Sequence, residues 1–266
     1  MVQKVVMKME KSLKIILEFK PKIKTIEYVI TVLAILLLWE LYVRAFGVPS
    51  WILPAPSEVI QYSLIDKDIP PNFLITVCEV ITGFFVATAV GIALAILISQ
   101  SAFFERGLYP LLSFFQSVPK SALAPVFVVW FGYGSLPRII VAFLIVFFPI
   151  LVNTLTGLAI TKPELLDLMC SMRATKLQIL TKIRLPNSLP FIFSALKIAA
   201  PTSVIGAVVA EFMSGNSGLG HLVLKANFLV DMRLLFASVF GMAVIGTAMF
   251  LVVVIAENRL LPWYKR

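Results

Sequence analysis

The chain has 266 residues, 60% hydrophobic and 14% charged, with a formal net charge of +9. A soluble domain is about 45–50% apolar and about 25% charged, so a soluble fold of this length cannot enclose so much apolar side chain and lipid must solvate the rest. That excludes a soluble enzyme, a nucleic-acid-binding domain and a disordered linker; where the basic residues lie decides what the charge means.

In chain order, Met1–Lys24 is a basic arm. It lacks an apolar stretch ending in a small-residue cleavage site, so it is not a cleaved signal peptide. Lys4, Lys8 and Lys11 lie at helical spacing among Val5, Val6, Leu13, Ile16 and Leu17. This fits either an amphipathic helix on an anionic leaflet or a tail that only sets orientation. Six apolar runs follow: Ile26–Phe46, Phe73–Ser99, Leu108–Phe131, Ile139–Ile160, Leu189–Met213 and Leu234–Ala256. Each is long enough for a membrane helix, which needs about 20 residues. The expectation is an all-α polytopic membrane protein with about six spans, residues 25–266 forming the transmembrane domain. Cys78 and Cys170 lack metal spacing and fall on opposite sides of a span, and the single histidine, His221, has no ligand partners nearby. No catalytic residue, metal or cofactor is expected.

Placing the N-terminus in the cytoplasm puts sixteen of the 23 basic residues on that side: seven in the arm, then Arg106, Lys162, Arg173, Lys176, Lys182, Arg184, Arg259, Lys265 and Arg266. Arg44, Lys67, Arg138, Lys225 and Arg233 fall on the other side, and Lys120 and Lys197 lie within runs. The positive-inside rule therefore predicts both termini, and the charged segment 161–187, in the cytoplasm of a multi-pass cell-membrane protein.

That segment reads as two short amphipathic helices. Thr161-Lys162-Pro163-Glu164 is a helix start, with Thr161 as cap and Pro163 in the first turn. Leu165, Leu166, Leu168, Met169 and Met172 follow, then a break at Arg173-Ala174-Thr175, a second helix carrying Leu177, Leu180 and Ile183, and a stop at Leu185-Pro186. Such an apolar surface needs either the chain's own helix ends or a groove on a partner.

The run Glu164-Leu165-Leu166-Asp167 through Arg173-Ala174-Thr175, followed by Ile183-Arg184-Leu185-Pro186, resembles the "EAA" loop of ABC-importer permease subunits. Trp39-Glu40, Leu53-Pro54-Ala55-Pro56-Ser57, Trp130-Phe131-Gly132, Gly206–Phe212 and Ser217–Gly220 extend the resemblance over roughly residues 35–264. They are similar to the nitrate/sulfonate/taurine branch, which includes pyrimidine and riboflavin-precursor permeases. The resemblance implies a type I importer fold and a homodimer. It also implies an extracytoplasmic binding protein and a coupling loop docked on a separate ATPase through Glu164, Asp167, Arg173, Ala174, Leu185 and Pro186. Asp167 replaces the motif's glutamate, Leu168 and Met169 its alanines, and Arg173 its glycine, which permits a positive φ. Independently, the chain holds no phosphate-binding loop and no Gly-Lys pair.

Charges at membrane depth are costly and invite functional readings. Glu79 lies near the start of the second run, within reach of the interface. Lys120, after Pro119, is either a cation lining the pathway for an anionic or carbonyl-rich substrate or one half of an ion pair between helices. Lys197 either snorkels or pairs with another helix. Glu211 is a gate residue or a structural partner, and Asn153, Thr202 and Ser203 bond either substrate or neighbouring helices. The Gly215–Gly220 loop is either an exit gate or a turn into a short helix around His221–Phe228. The rival classes are an ion-gradient-driven secondary transporter, which favours midplane carboxylates, and an intramembrane enzyme, which needs a nucleophile–base pair or metal cluster.

Overall fold

The structure is a computed structural model and describes residues 25–101, 107, 111–112, 114–214 and 216–263. The basic arm and Arg106 fall outside these residues, as do Lys265 and Arg266. Among the described residues every regular element is helical. They fall into two compact units, one ending at Ser57 and one beginning at Glu58.

The first unit is built on α1 (Thr25–Ala45), an apolar helix corresponding to the first predicted run. Leu33, Ile35, Leu37, Leu38 and Leu41 are all exposed, as expected where lipid is the solvent. Glu40 near its end accepts from Arg44 Nε at 2.6 Å, Ser57 Oγ at 2.8 Å and Ser57 N at 3.0 Å. The two motif pieces around Trp39-Glu40 and Pro56-Ser57 thus meet, with Glu40 satisfying an N–H that the first turn of α2 (Pro56–Ile65) leaves free.

In the second unit, α3 (Ile69–Ser99) starts on Pro70-Pro71, whose missing N–H groups cost nothing in a first turn. The third predicted run is not one helix: residues 114–117 are helical, Pro119 interrupts, and a 3-10 turn (Lys120–Leu123) leads into α4 (Ala124–Phe131). Then come α5 (Ser135–Ala159), α6 (Pro163–Ser171) and α7 (Lys176–Ile179). A π-helical turn, Leu180–Arg184, leads into α8 (Leu185–Ser214), and α9 (Leu219–Leu229) and α10 (Met232–Leu260) follow. Among the described residues, four helical stretches are long and apolar enough to cross a membrane: α3, α5, Lys176–Ser214 and α10.

The predicted stop at Leu185-Pro186 does not occur. Leu185 N donates to Leu180 O, an i to i−5 bond that widens the turn just before Pro186. A proline ring otherwise strikes the carbonyl four residues back, and the wide turn relieves that clash while the chain continues as helix.

Inside lipid, apolar contact gains little from solvent exclusion, so helices associate through close packing and small residues. The core joins Val80, Phe84 and Ala87 of α3 to Ala142, Val146 and Ile150 of α5 and to Ile192, Ala199 and Val204 of α8, with Ile245 and Met249 of α10 behind. Ala142 is clasped between Gly83 and Gly206. A Cβ on Gly206 would stand 2.6 Å from Ala142 Cα, so only glycine allows this approach of α8 to α5. Gly206→Ala is therefore expected to lower unfolding stability in detergent by about 1–3 kcal/mol, read as a fall in Tm. Hydroxyls inside the spans bond their own helices, as in Thr88 to Phe84 O at 2.8 Å and Thr154 to Ile150 O at 2.7 Å, leaving little polar demand facing lipid.

Candidate functional site

Two regions hold most of the candidate functional side chains. At one end of the bundle, α6 and α7 form the elbow between α5 and α8. The helix start is shifted by one residue from the reading above. Lys162 is the N-cap, with no side-chain bond, and Thr161 instead turns its hydroxyl to Leu158 O at 3.4 Å. Glu164 and Asp167 are exposed on α6, as are the apolar Leu165 and Leu168; Met172 and Leu177 are exposed on either side of the break. Ala174, Leu185 and Pro186 are half-buried.

The break itself is a turn with Arg173 at φ +54°, followed by a capping box: Thr175 Oγ1 accepts from Gln178 N, and Gln178 Oε1 accepts from Thr175 N. Arg173 thus takes up the left-handed conformation that the motif's glycine permits. A non-glycine residue pays about 1–2 kcal/mol for it. Arg173→Gly is expected to stabilise the elbow by about 1 kcal/mol, slowing amide exchange across 172–175 about fivefold. The Thr-x-x-Gln spacing is the sequence signal of this box. Arg184 Nη1 ties the π turn to Ser99 O at the end of α3, at 3.4 Å.

At the opposite end, the starts of α3 and α5 meet the end of α8 and residues 216–220. Arg138, expected in a loop between spans, is instead helical and buried. Its Nη1 reaches Glu79 Oε1 at 3.1 Å and Ser217 Oγ at 3.0 Å, and its Nε reaches Ser214 Oγ at 2.5 Å. Glu79, expected within reach of the interface, is likewise buried, because α5 brings it this counter-charge. Glu211 is fully buried; Thr76 Oγ1 donates to its Oε1 at 2.6 Å and Gly220 N to its Oε2 at 2.5 Å. Leu219 N donates to Thr76 Oγ1 and Gly218 N to Asn72 Oδ1, so residues 218–220 are seated on α3 and α8 by their backbone amides. The segment leads into α9, which takes the place expected for the helix around His221–Phe228. Gly218, at φ +98°, leaves no room for a side chain against the Glu211 carboxylate.

Outside the spans, Lys225 of α9 pairs with Asp68 at 2.5 Å, which holds the Asp68 carboxyl below, and the Lys225 amine above, their ordinary values. Tyr62 donates to Asp231 Oδ2 at 3.1 Å; burial and that carboxylate raise its phenol.

The remaining polar candidates are dispersed. Lys120 Nζ bonds Gln116 O and lies 5.2 Å from the centre of the Phe148 ring, a cation–π contact. Asn153 bonds Pro149 O at 2.8 Å, Thr202 bonds Ile198 O and Ala199 O at 3.0 Å, and Ser203, fully buried, bonds Ala200 O at 2.6 Å. Lys197 pairs with Glu257 of α10 at 3.0 Å, the helix-pairing alternative. Phe143 stacks on Phe147, and Phe148 on Phe115, in an aromatic column along α5 beside Lys120.

A bundle of apolar helices with an ion pair buried at one end and an amphipathic elbow exposed at the other marks a polytopic membrane protein. The family model for "Binding-protein-dependent transport system inner membrane component" matches residues 87–266, and the chain belongs to that family. The formylaminopyrimidine transport permease protein ThiX of Halalkalibacterium halodurans is 34% identical over 93% of this chain and 99% of its own length. The riboflavin transport system permease protein RibX of Chloroflexus aurantiacus is 30% identical, over 88% of each chain. The taurine transport system permease protein TauC of Escherichia coli is 25% identical, again over 88% of each. Among solved structures, a chain of the MetNI methionine ABC transporter in an inward-facing conformation aligns with a TM-score of 0.55 and 20% identity, covering 71% of this chain and 98% of that one. The fold is therefore that of an importer permease. The protein is the transmembrane permease subunit of an ABC importer, with ATP hydrolysis on a separate subunit and substrate supplied by a binding protein. This sets aside the ion-gradient-driven alternative.

Proposed function

We propose that two copies of this chain form the translocation pathway for a small planar heterocycle of the pyrimidine type, with both termini and the elbow in the cytoplasm. The observation that carries the substrate reading is the aromatic column of Phe115, Phe143, Phe147 and Phe148 with Lys120 beside it. Stacked rings recognise a flat heterocycle by its face, and the ammonium serves ring nitrogens and carbonyls. The ammonium already engaged by a ring and a carbonyl is a poorer partner for a bare anion, which speaks against a sulfonate. The similarity to ThiX along nearly the whole chain supports the same class. Lys120, Asn153 and Thr202 contact substrate in this reading, whereas the buried Ser203 and Glu211 brace the wall.

The elbow is the docking surface for the ATPase. Glu164 and Asp167 offer charges, Leu165, Leu168 and Met172 an apolar face, and Arg173 and Ala174 the turn. Leu185 and Pro186 begin the helix that carries the motion. Placing the elbow in the cytoplasm follows from the basic-residue asymmetry. The test is ATP-dependent uptake by proteoliposomes holding the permease with its cognate ATPase and binding protein. Labelled aminopyrimidine is expected to accumulate at least about tenfold faster than taurine, a difference of about 1.4 kcal/mol in barrier. Preferential taurine uptake overturns the substrate assignment.

A further inference from the structure

The buried cluster at the 216–220 end sets two carboxylates, Glu79 and Glu211, against one guanidinium, Arg138. Arg138, bonded to Glu79, also bonds Ser217, and the next residue, Gly218, lies against the Glu211 carboxylate, so both carboxyl groups belong to one cluster. No other ionisable side chain completes the balance among the described residues packed around them. The α4 segment carries none, Lys225 and His221 of α9 act on Asp68, and Arg233 of α10 pairs with Glu58. Two buried carboxylates with a single counter-charge leave one negative charge in an apolar interior, which is strongly disfavoured unless it is neutralised.

The hydrogen bonds say which group carries the charge. Both oxygens of Glu211 are engaged: Thr76 Oγ1 lies at 2.6 Å from Oε1 and Gly220 N donates to Oε2, while Thr76 Oγ1 also accepts from Leu219 N and reaches Asn72 O at 3.2 Å. An ionised carboxylate makes both contacts without turning a hydroxyl toward either. Glu79, by contrast, accepts from Arg138 through Oε1, while its Oε2 is buried with no hydrogen-bond partner. Beside Glu79 lies an open groove of about 240 Å³, lined by the exposed Leu74, Cys78, Thr82 and Ser135 and by Ile139.

We propose that the Glu79–Glu211 pair is a proton-binding site, holding one proton on Glu79 while residues 216–220 are seated and releasing it to water when they lift. Lifting removes the Leu219 and Gly220 amides from Thr76 and Glu211 and admits water to the cluster. Both carboxylates are then solvated, and the proton passes from the Glu79 hydroxyl to one of the waters so admitted. Because the lifted state has one proton fewer, rising pH favours it. The site goes beyond the importer assignment and does not depend on the substrate.

Infrared spectra of the full-length permease in nanodiscs, with carboxyl-labelled glutamate, test the site directly. One protonated-carboxyl stretch is expected at neutral pH. It is lost in Glu79→Gln and in Glu211→Gln alike, since the surviving carboxylate then has Arg138 to itself. No such band in the parent protein, or a band surviving in either variant, overturns the proposal. So does a band that vanishes when sodium replaces potassium, which assigns the site to a metal cation. Exchange of the Leu219 and Gly220 amides, corrected for base catalysis, gives a second readout. Their protection is expected to fall up to about tenfold per pH unit in the parent protein and to stay flat in Glu79→Gln; equal slopes overturn the proposal. If Glu79→Gln does not fold, the parent titration still decides, because a protection that does not change with pH rejects proton release.

Discussion

Arg138→Met is expected to destabilise the folded permease by about 3–5 kcal/mol, the range for removing one partner from a buried ion pair. The guanidinium holds Glu79, Ser214 and Ser217 at once, from α3, α8 and the loop beyond it. Methionine fills much the same volume, so the loss is electrostatic and not one of packing. Lysine is expected to rescue little, since a single ammonium cannot reproduce a fork that reaches Ser214 with Nε and Glu79 with Nη1. Adding Glu211→Gln to Arg138→Met removes the carboxylate left without a counter-charge and should restore most of the stability. Thermal unfolding in mixed micelles measures all four proteins; a Tm for Arg138→Met within a degree or so of the parent would show that the pair contributes nothing.

The second large effect is expected at the elbow. Glu164 and Asp167 are exposed beside the apolar Leu165 and Leu168, a surface that no described residue of the chain covers. Reversing both charges to lysine should cost about 2–5 kcal/mol of association with the ATPase, as for buried charge pairs at other interfaces. Substrate-stimulated ATP hydrolysis by the reconstituted complex is then expected to fall at least about tenfold. The isolated permease should keep its Tm, because neither side chain holds the fold together. Undiminished stimulated turnover in the double variant would reject the docking role.

Much of the bundle was legible from hydropathy. The predicted runs at 73–99, 189–213 and 234–256 fall within α3, α8 and α10, and that at 139–160 passes the end of α5 by one residue. Run length reports a span whatever its packing. The third run failed because hydropathy does not register Pro119, which ends one helical piece and starts another at the same polarity. Pro186 failed in the opposite direction: local rules give a helix stop, but a single wide turn accommodates the ring and the helix continues. The charged cluster was read least well. Arg138 borders a glycine-containing loop, and sequence distance alone assigned it to solvent; its partner Glu79 lies in another helix, 59 positions away. The available signal was that both were lone opposite charges at the same depth, near the starts of two helices running the same way. The elbow's turn was anticipated from the motif, and Arg173 keeps its geometry despite the substitution.

The continuity of Lys176–Ser214 has a mechanical consequence. Its 39 residues make a rod of roughly 58 Å at 1.5 Å per residue. One tip adjoins the Thr175 box, which a motor protein would grip, and the other carries Glu211 and Ser214. Such a lever converts a small tilt at its driven tip into a displacement of several ångströms at the far one. The π turn, Pro190 and Pro201 are where it can flex, so stiffening those joints tunes how much of the stroke arrives.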